Sequence, residues 1–410
     1  MGDLKPMRAN PGGEIAPEYA VGRGQLVKRL WETIRNQSVV MVAERRIGKT
    51  TTVKKMRAET PSGMRLIYRD VEGISTPLEF AESVARDVEA STGPTSAAML
   101  KIRRLLTQLA GAEVGGVLKF PPEIARHWKT LLESAVGTLT EDAPTTTYVF
   151  TWDELPLMLD NVRRTSGEET AMEILDCLRS LRQAHSNLRM IFTGSVGLHH
   201  VLTRLRDEGH LNDATNDMRT MEITPLSPQD GCDLARALIL GEGLECGDLA
   251  SSARVVSDQA DHIPFYIHHI VARMRDLGDV ATEELALRVV REALMDAHDI
   301  WHLEHFRARL DERYGADKLP VVLAILDHVA VCEEPVPLAV LSRHIRSTLK
   351  RPSQAASFVG NVIDGDDEAL RRLLDLLQRD HYLRREGSTL GYEFRFSLIR
   401  QWWKLHRSLA

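Results

Sequence analysis

Residues 38–51, SVVMVAERRIGKTT, constrain the fold more than any other stretch of the chain. An apolar, β-branched run ends in a turn carrying Gly48, Lys49 and Thr50, and a helix-compatible stretch, TTTVKKMRAET, follows. A turn set between a strand and a helix aims converging main-chain N–H groups and a positive helix terminus at an anion. In that setting Lys49 reaches the β- and γ-phosphates of a nucleotide and Thr50 supplies a hydroxyl for Mg2+. Gly48 permits the close approach of backbone to phosphate. The usual pattern opens with a further glycine; Ala43 occupies that place and is small enough to let the strand leave the sheet there. The loop residues Ala43, Arg45, Arg46, Ile47, Gly48, Lys49, Thr50 and Thr51 are therefore the expected nucleotide contacts, with ATP and Mg2+ as the expected cofactors.

The same alternation continues downstream. RLIYRDVEG (65–73), TTYVFTWDE (146–154), NLRMIFTGS (187–195) and RTMEITPL (219–226) read as further strands, and STPLEFAESVARDVEAS reads as a capped helix between two of them. Strands separated by helices predict a parallel sheet covered on both faces, an α/β fold. The segment at about 93–137 is long for a connection and reads as an insertion. After about residue 226 the pattern is helical, and a long linker helix is expected near 285–315. The last part returns to mixed structure: helices at KLPVVLAILDHVAV and PLAVLSRHIRSTL, a helix with Leu370, Leu373, Leu374 and Leu377 on one face, then a hairpin from HYLRRE and YEFRFS. Three helices followed by a hairpin is the winged-helix order. The expected domains are an N-terminal extension (1–18), the ATPase core (19–226), a helical lid with linker helix (227–316) and a winged helix (317–410).

Composition narrows the function classes. The 410 residues carry a net charge of −6, so any contact with a polyanion is local. Four scattered cysteines, with no CxxC pair, argue against a disulfide scaffold or zinc ribbon and suit a reducing cytosol. The first residues hold no apolar core, and the longest apolar run, LPVVLAILDHVAV, is too short to span a bilayer and contains Asp327 and His328. A soluble, cytoplasmic protein without membrane contact is expected.

A second constellation supports the first. Asp153 and Glu154 end the apolar strand YVFTW. Phosphoryl transfer needs positioning and charge neutralisation more than covalent chemistry. The pair suits it, with Asp153 holding Mg2+ and Glu154 orienting the attacking water. Thr193 and Ser195, at the end of FTGS, lie where a polar side chain touches a γ-phosphate, or equally where one caps the next helix. His302 and His305 in WHLEHF are three apart, not the four that zincins need, and read as a solvated helix.

Taken in order, YAVGRGQLVKRL, ERRIGKTTT, FTWDELPLMLDNV, RMIFTGSVGLHHVL, NDATNDMRTMEITPLSPQD, HIPFYIHHI and YEFRFSLIRQWWKLHR resemble the archaeal-type P-loop ATPases, over roughly residues 19–407. That family lies near the STAND switch ATPases and the origin-recognition ATPases of the AAA+ class. The resemblance implies a P-loop sheet of the ASCE type and slow, Mg2+-dependent ATP hydrolysis with Lys49 and Glu154 as catalytic residues. It implies that Val21, Gly22 and Arg23 line the adenine side and that Pro264 belongs to the lid over the base, although His262 replaces the glycine of the lid motif. The resemblance offers Arg219 or Arg206 as γ-phosphate sensor or arginine finger, against the simpler reading of each as a surface arginine. Glu44 stands where those relatives carry proline and adds a carboxylate close to the phosphates.

Two outputs remain open for the C-terminal part. Residues 336–410 hold 13 Lys and Arg against 8 Asp and Glu, with Arg384, Arg385 and Arg395 on the expected wing, which suits double-stranded DNA. Against this, the third helix starts with Asp366, Asp367 and Glu368, where a recognition helix meets its target. The chain is thus either an ATP-driven DNA-binding protein or a STAND-like regulatory ATPase whose winged helix binds a protein. In the second case the effector is separately encoded. Nucleotide-dependent self-assembly is compatible with both.

Overall fold

The computed structural model describes residues 5–92, 100, 127–194, 198, 200–201, 214–350 and 357–409. Much of the expected insertion, together with Ser195 and Arg206, lies outside the described residues. The chain divides into two compact units, one of Ala16–Thr224 and one of Met1–Ile15 with Pro225–Ala410.

The first unit is built as the alternation predicts. After a short 3-10 turn (Pro17–Tyr19) come α1 (Gly24–Ile34), β1 (Val39–Val42), α2 (Lys49–Ala58), β2 (Met64–Asp70), α3 (Pro77–Thr92) and α4 (Trp128–Asp142). Then follow β3 (Thr147–Asp153), α5 (Leu155–Ser166), α6 (Glu168–Ala184), β4 (Leu188–Gly194) and β5 (Arg219–Glu222). The five strands are parallel, in the order β2-β3-β4-β1-β5. β4 thus lies between the strand that feeds the Gly-Lys-Thr loop and the strand that ends in Asp153, which separates the two by one strand width at the same sheet edge. Phe80, Phe150 and Phe192 pack on Trp152 in the core, with ring centroids 5.2, 5.5 and 5.9 Å from it. α3 begins in a reciprocal capping box: Glu79 N–H donates to Thr76 Oγ1, and Thr76 N–H to Glu79 Oε2.

The second unit opens with residues that run along its helices. Met7 N–H donates to Ala237 O at 3.0 Å, and Asn10 N–H to His268 Nδ1 at 3.1 Å, so this part of the expected extension is packed. The helices are α7 (Pro228–Gly241), α8 (Leu249–Gln259), α9 (Pro264–Leu277), α10 (Glu283–Leu294) and α11 (Glu304–Val331). The single long helix expected near 285–315 is therefore two. Asp299, at φ 44°, accepts from the N–H groups of Leu303 and Glu304 and starts α11 afresh. α11 itself is kinked at Gly315, whose φ of 61° lies in the left-handed region.

Beyond it come α12 (Leu338–Thr348), α13 (Phe358–Ile363), α14 (Asp367–Arg379), β6 (Leu383–Arg385), β7 (Tyr392–Phe394) and α15 (Ser397–His406). β6 and β7 pair antiparallel, and Val336 bridges to Tyr392. Leu370, Leu373, Leu374 and Leu377 are all buried, as their spacing predicts. The short α13, capped by Ser357 Oγ, and the closing α15 add to the expected three helices and hairpin. Among the described residues no helix is long and apolar enough to cross a membrane.

Candidate functional site

The loop between β1 and α2 turns on two left-handed residues, Arg46 at φ 72° and Gly48 at φ 99°. Gly48 meets no steric penalty there, whereas Arg46 costs about 1 kcal/mol or more, a strain typical of functional loops. α2 starts at Lys49, so its open N–H groups face the loop. Lys49 is 8% exposed, and its Nζ donates to Ala43 O at 3.3 Å, closing the loop on itself. Thr50 Oγ1 donates to Asp153 Oδ2 at 3.1 Å, across 103 positions of sequence. The two constellations found separately in the sequence are thus in direct contact.

Asp153, 3% exposed, is the last residue of β3. Its Oδ2 also accepts from Tyr68 Oη at 3.2 Å, and its Oδ1 accepts from Glu154 N–H at 3.2 Å. Glu154 itself sits at φ 58°, a second strained non-glycine residue, at the N-cap position of α5. Its carboxylate lies beside the end of β4: a Cβ on Gly194 would fall 3.4 Å from Glu154 Oε2 and 2.6 Å from Pro156 Cδ. Glycine there lets α5 and Glu154 close onto the strand. One residue earlier, the Thr193 hydroxyl is buried without a hydrogen-bond partner.

The charges are uneven. Burial lowers the Lys49 pKa, while Glu154, Glu44 and Asp153 act to hold its proton. Burial raises the Asp153 carboxyl, and so does Glu154; hydrogen bonds from Thr50 and Tyr68 and the Lys49 charge oppose the rise. Glu44, 3% exposed, turns its Oε1 onto the N–H of Arg45 at 2.7 Å. Three carboxylates therefore surround one ammonium, an arrangement that favours an incoming cation. The donors converging from Thr50 and Asp153 are all oxygen, which suits Mg2+.

Arg45 is exposed, Arg46 is half-buried and Ile47 is buried in the loop; Thr51 lies in the first turn of α2. Val21 is half-buried and Gly22, exposed, turns at φ 68°. Arg23 is buried, with its guanidinium on the carbonyls of Ile47 and Thr224. Pro264 occupies the first turn of α9 in the other unit. Arg219 opens β5 and is exposed. The sequence reasoning missed Tyr68 and the two grips of Arg23. The one available signal for Tyr68 was its place near the polar end of a strand, IYRD, adjacent to the carboxylate strand.

No family model matches the sequence, and no curated protein does. Among solved structures, the chain is similar to the Walker-type ATPase of Pyrococcus abyssi at 17% identity and a TM-score of 0.61, over 98% of this chain and 99% of that one. The ORC2 protein of Aeropyrum pernix in its ADPNP-ADP complexes aligns at 12% identity and a TM-score of 0.48, over 100% of this chain and 98% of that one. Its ADP form aligns at 12% and 0.45, over 99% and 97%. The likeness to the Pyrococcus protein shows that the chain shares the fold of that Walker-type ATPase.

Proposed function

We propose that this chain, which has the fold of a P-loop ATPase, binds ATP with Mg2+ on its Ala43–Thr51 loop, hydrolyses it slowly, and works as a nucleotide-dependent switch. The contact of Thr50 with Asp153 carries the reading, because it joins a phosphate-type loop to a strand-end carboxylate in the geometry that ATP hydrolysis needs. Lys49 takes the β- and γ-phosphates, and the N–H groups from Arg46 to Thr51 take the remaining oxygens. Thr50 and Asp153 hold Mg2+, which when bound neutralises charge on the phosphates. Glu154 orients the attacking water, and the orphan hydroxyl of Thr193 supports a polar contact beside it. Val21 and Gly22 form the base side, Pro264 belongs to the lid, and Ser195 adds a γ-phosphate contact. Phosphate release from ATP by the purified chain, with and without Mg2+, tests the reading; no release in either condition overturns hydrolysis.

The switch runs through the helical unit, whose division into lid and linker (227–316) and winged helix (317–410) belongs to the proposal. The helix order, the β6–β7 hairpin and the Val336 bridge support the winged helix. Its wing carries Arg384, Arg385 and Arg395, which support phosphate contacts with duplex DNA. A second reading, a separately encoded protein partner, draws on a specific observation: three of the basic side chains here pair with acids. Arg384 pairs with Glu393 at 2.7 Å, Arg372 with Glu368 at 3.5 Å and Arg346 with Asp367 at 3.4 Å. Exposed pairs of this kind are weak enough for a polyanion to displace, so DNA remains the first assignment. Small-angle scattering of the Glu154→Gln protein with ADP and then ATP tests the switch. Profiles that differ, by shape or by assembly mass, are expected; superimposable profiles contradict it.

A further inference from the structure

Arg23 stands at the N-cap of α1 and is 5% exposed. A guanidinium is kept out of water only where its donors are met. Here Nη2 donates to Ile47 O at 2.6 Å and Nη1 to Thr224 O at 2.9 Å, a fork spread over two carbonyls. The first belongs to the phosphate loop. The Ile47 carbonyl shares its peptide plane with the N–H of Gly48, and the plane is rigid, so fixing the C=O on one side fixes the N–H on the other. A donor on the carbonyl also polarises that N–H, which strengthens its bond to an anion. The guanidinium lies beside this turn: a Cβ on Gly48 would fall 3.9 Å from Nη2, at van der Waals distance.

The second carbonyl belongs to the exit of the sheet unit. Ile223 N–H still donates to Val42 O at 2.9 Å, continuing the β1–β5 ladder. Thr224 is the last residue of the unit, and Pro225 begins the next. One buried cation therefore grips both the loop that takes phosphate and the point where the chain leaves the sheet.

We propose that Arg23 is a positioning residue that sets the Ile47–Gly48 peptide for phosphate binding and ties the phosphate loop to the exit segment at Thr224, so that phosphate occupancy is transmitted to that segment. This role replaces the adenine-side contact that the family resemblance implies for Arg23, and it rests on the nucleotide reading above. Lysine cannot substitute, because a single ammonium lacks the fork that spans two carbonyls.

Displacement of a fluorescent ATP analogue by ATP, ADP and adenosine, from the wild type and from Arg23→Lys, separates the roles. ATP and ADP should bind the variant about tenfold to a hundredfold more weakly, the range for a lost charge-assisted hydrogen bond, while adenosine, which lacks phosphates, binds unchanged. Equal losses for all three ligands return Arg23 to the base side, and no loss for any removes its role; either overturns the proposal. A wild type that binds none of them overturns the nucleotide reading itself, and this inference with it. Hydrogen exchange on the wild type needs no variant. ATP, but not adenosine, should slow exchange in peptides covering residues 219–228, and identical exchange with and without bound ATP overturns the tie to the exit segment.

Discussion

Buried charge is handled in opposite ways at two places in this molecule. In the helical unit, Asp380 is 2% exposed and is held by donors from α11. Tyr314 donates to its Oδ2 at 2.6 Å and Arg313 to its Oδ1 at 3.2 Å, while Arg309 reaches its carbonyl at 3.0 Å and the Tyr382 hydroxyl at 2.6 Å. Tyr382 in turn donates to Phe306 O at 2.6 Å, so α11 is locked to the residues that lead into the hairpin. At the end of the sheet, Glu44, Asp153 and Glu154 crowd one lysine, and burial pushes Asp153 up and Lys49 down. The first arrangement satisfies its charges and stabilises the fold. The second leaves like charges together and strained residues beside them, which lowers stability and marks a site that a ligand completes.

The contrast breaks most visibly under substitution. Glu154→Gln should cut ATP turnover by about a hundredfold to ten-thousandfold, the range for a lost general base, and should raise the melting temperature by relieving repulsion. Unchanged turnover would remove Glu154 from the mechanism. Asp380→Ala should act the other way, lowering stability by about 3–5 kcal/mol because buried Arg313 loses its carboxylate, as denaturant unfolding measures. A loss of less than about 1 kcal/mol would mean the network adds little.

Smaller effects sharpen the comparison. Glu44→Gln should tighten ATP about tenfold, a like-charge repulsion of about 1.4 kcal/mol relieved, measured by titration calorimetry. Weaker binding would show instead that the Glu44–Arg45 contact shapes the loop. Acidification should act on Asp153, whose carboxyl titrates above its ordinary range because of burial and Glu154. Protonation removes the ligand for Mg2+, so Mg2+-dependent ATP affinity falls as pH drops through that raised value. The folded apo protein binds this proton more tightly than the unfolded chain, so the same group adds stability as pH falls and loses it as pH rises. Finally, changing Arg384 and Arg385 together to Glu should lower the steepness of DNA binding against log salt by about 2, roughly one unit per lost phosphate contact. Binding by the wild type that is flat in salt would favour the protein partner.

Much of this was legible in the sequence for local reasons. The strand–turn–helix around Gly48 and the carboxylates ending YVFTW are patterns of neighbouring residues, and the Thr76–Glu79 capping box reads off directly. What joined them was not local. That β4 separates β1 from β3 is a property of parallel strand order, which no short pattern encodes. Tyr68 meets Asp153 because β2 pairs with β3 in a register that puts Tyr68 opposite Thr151. The resemblance places Arg23 on the base side; its fork to Thr224, 201 positions away, is a contact that no local pattern encodes. Helical spacing continues through DAHDIWHLE, while the chain turns at Asp299, whose carboxylate takes the N–H groups of Leu303 and Glu304 and breaks α10 from α11.

Titration calorimetry of ATP with Mg2+, on the wild type and on Lys49→Ala, tests the central claim most directly. The wild type should bind one ATP per chain, more tightly with Mg2+ than without, and Lys49→Ala should show no measurable heat at the same concentrations. Absence of binding to the wild type at millimolar ATP, or equal affinity in the variant, would contradict a nucleotide site built on the contact between Thr50 and Asp153.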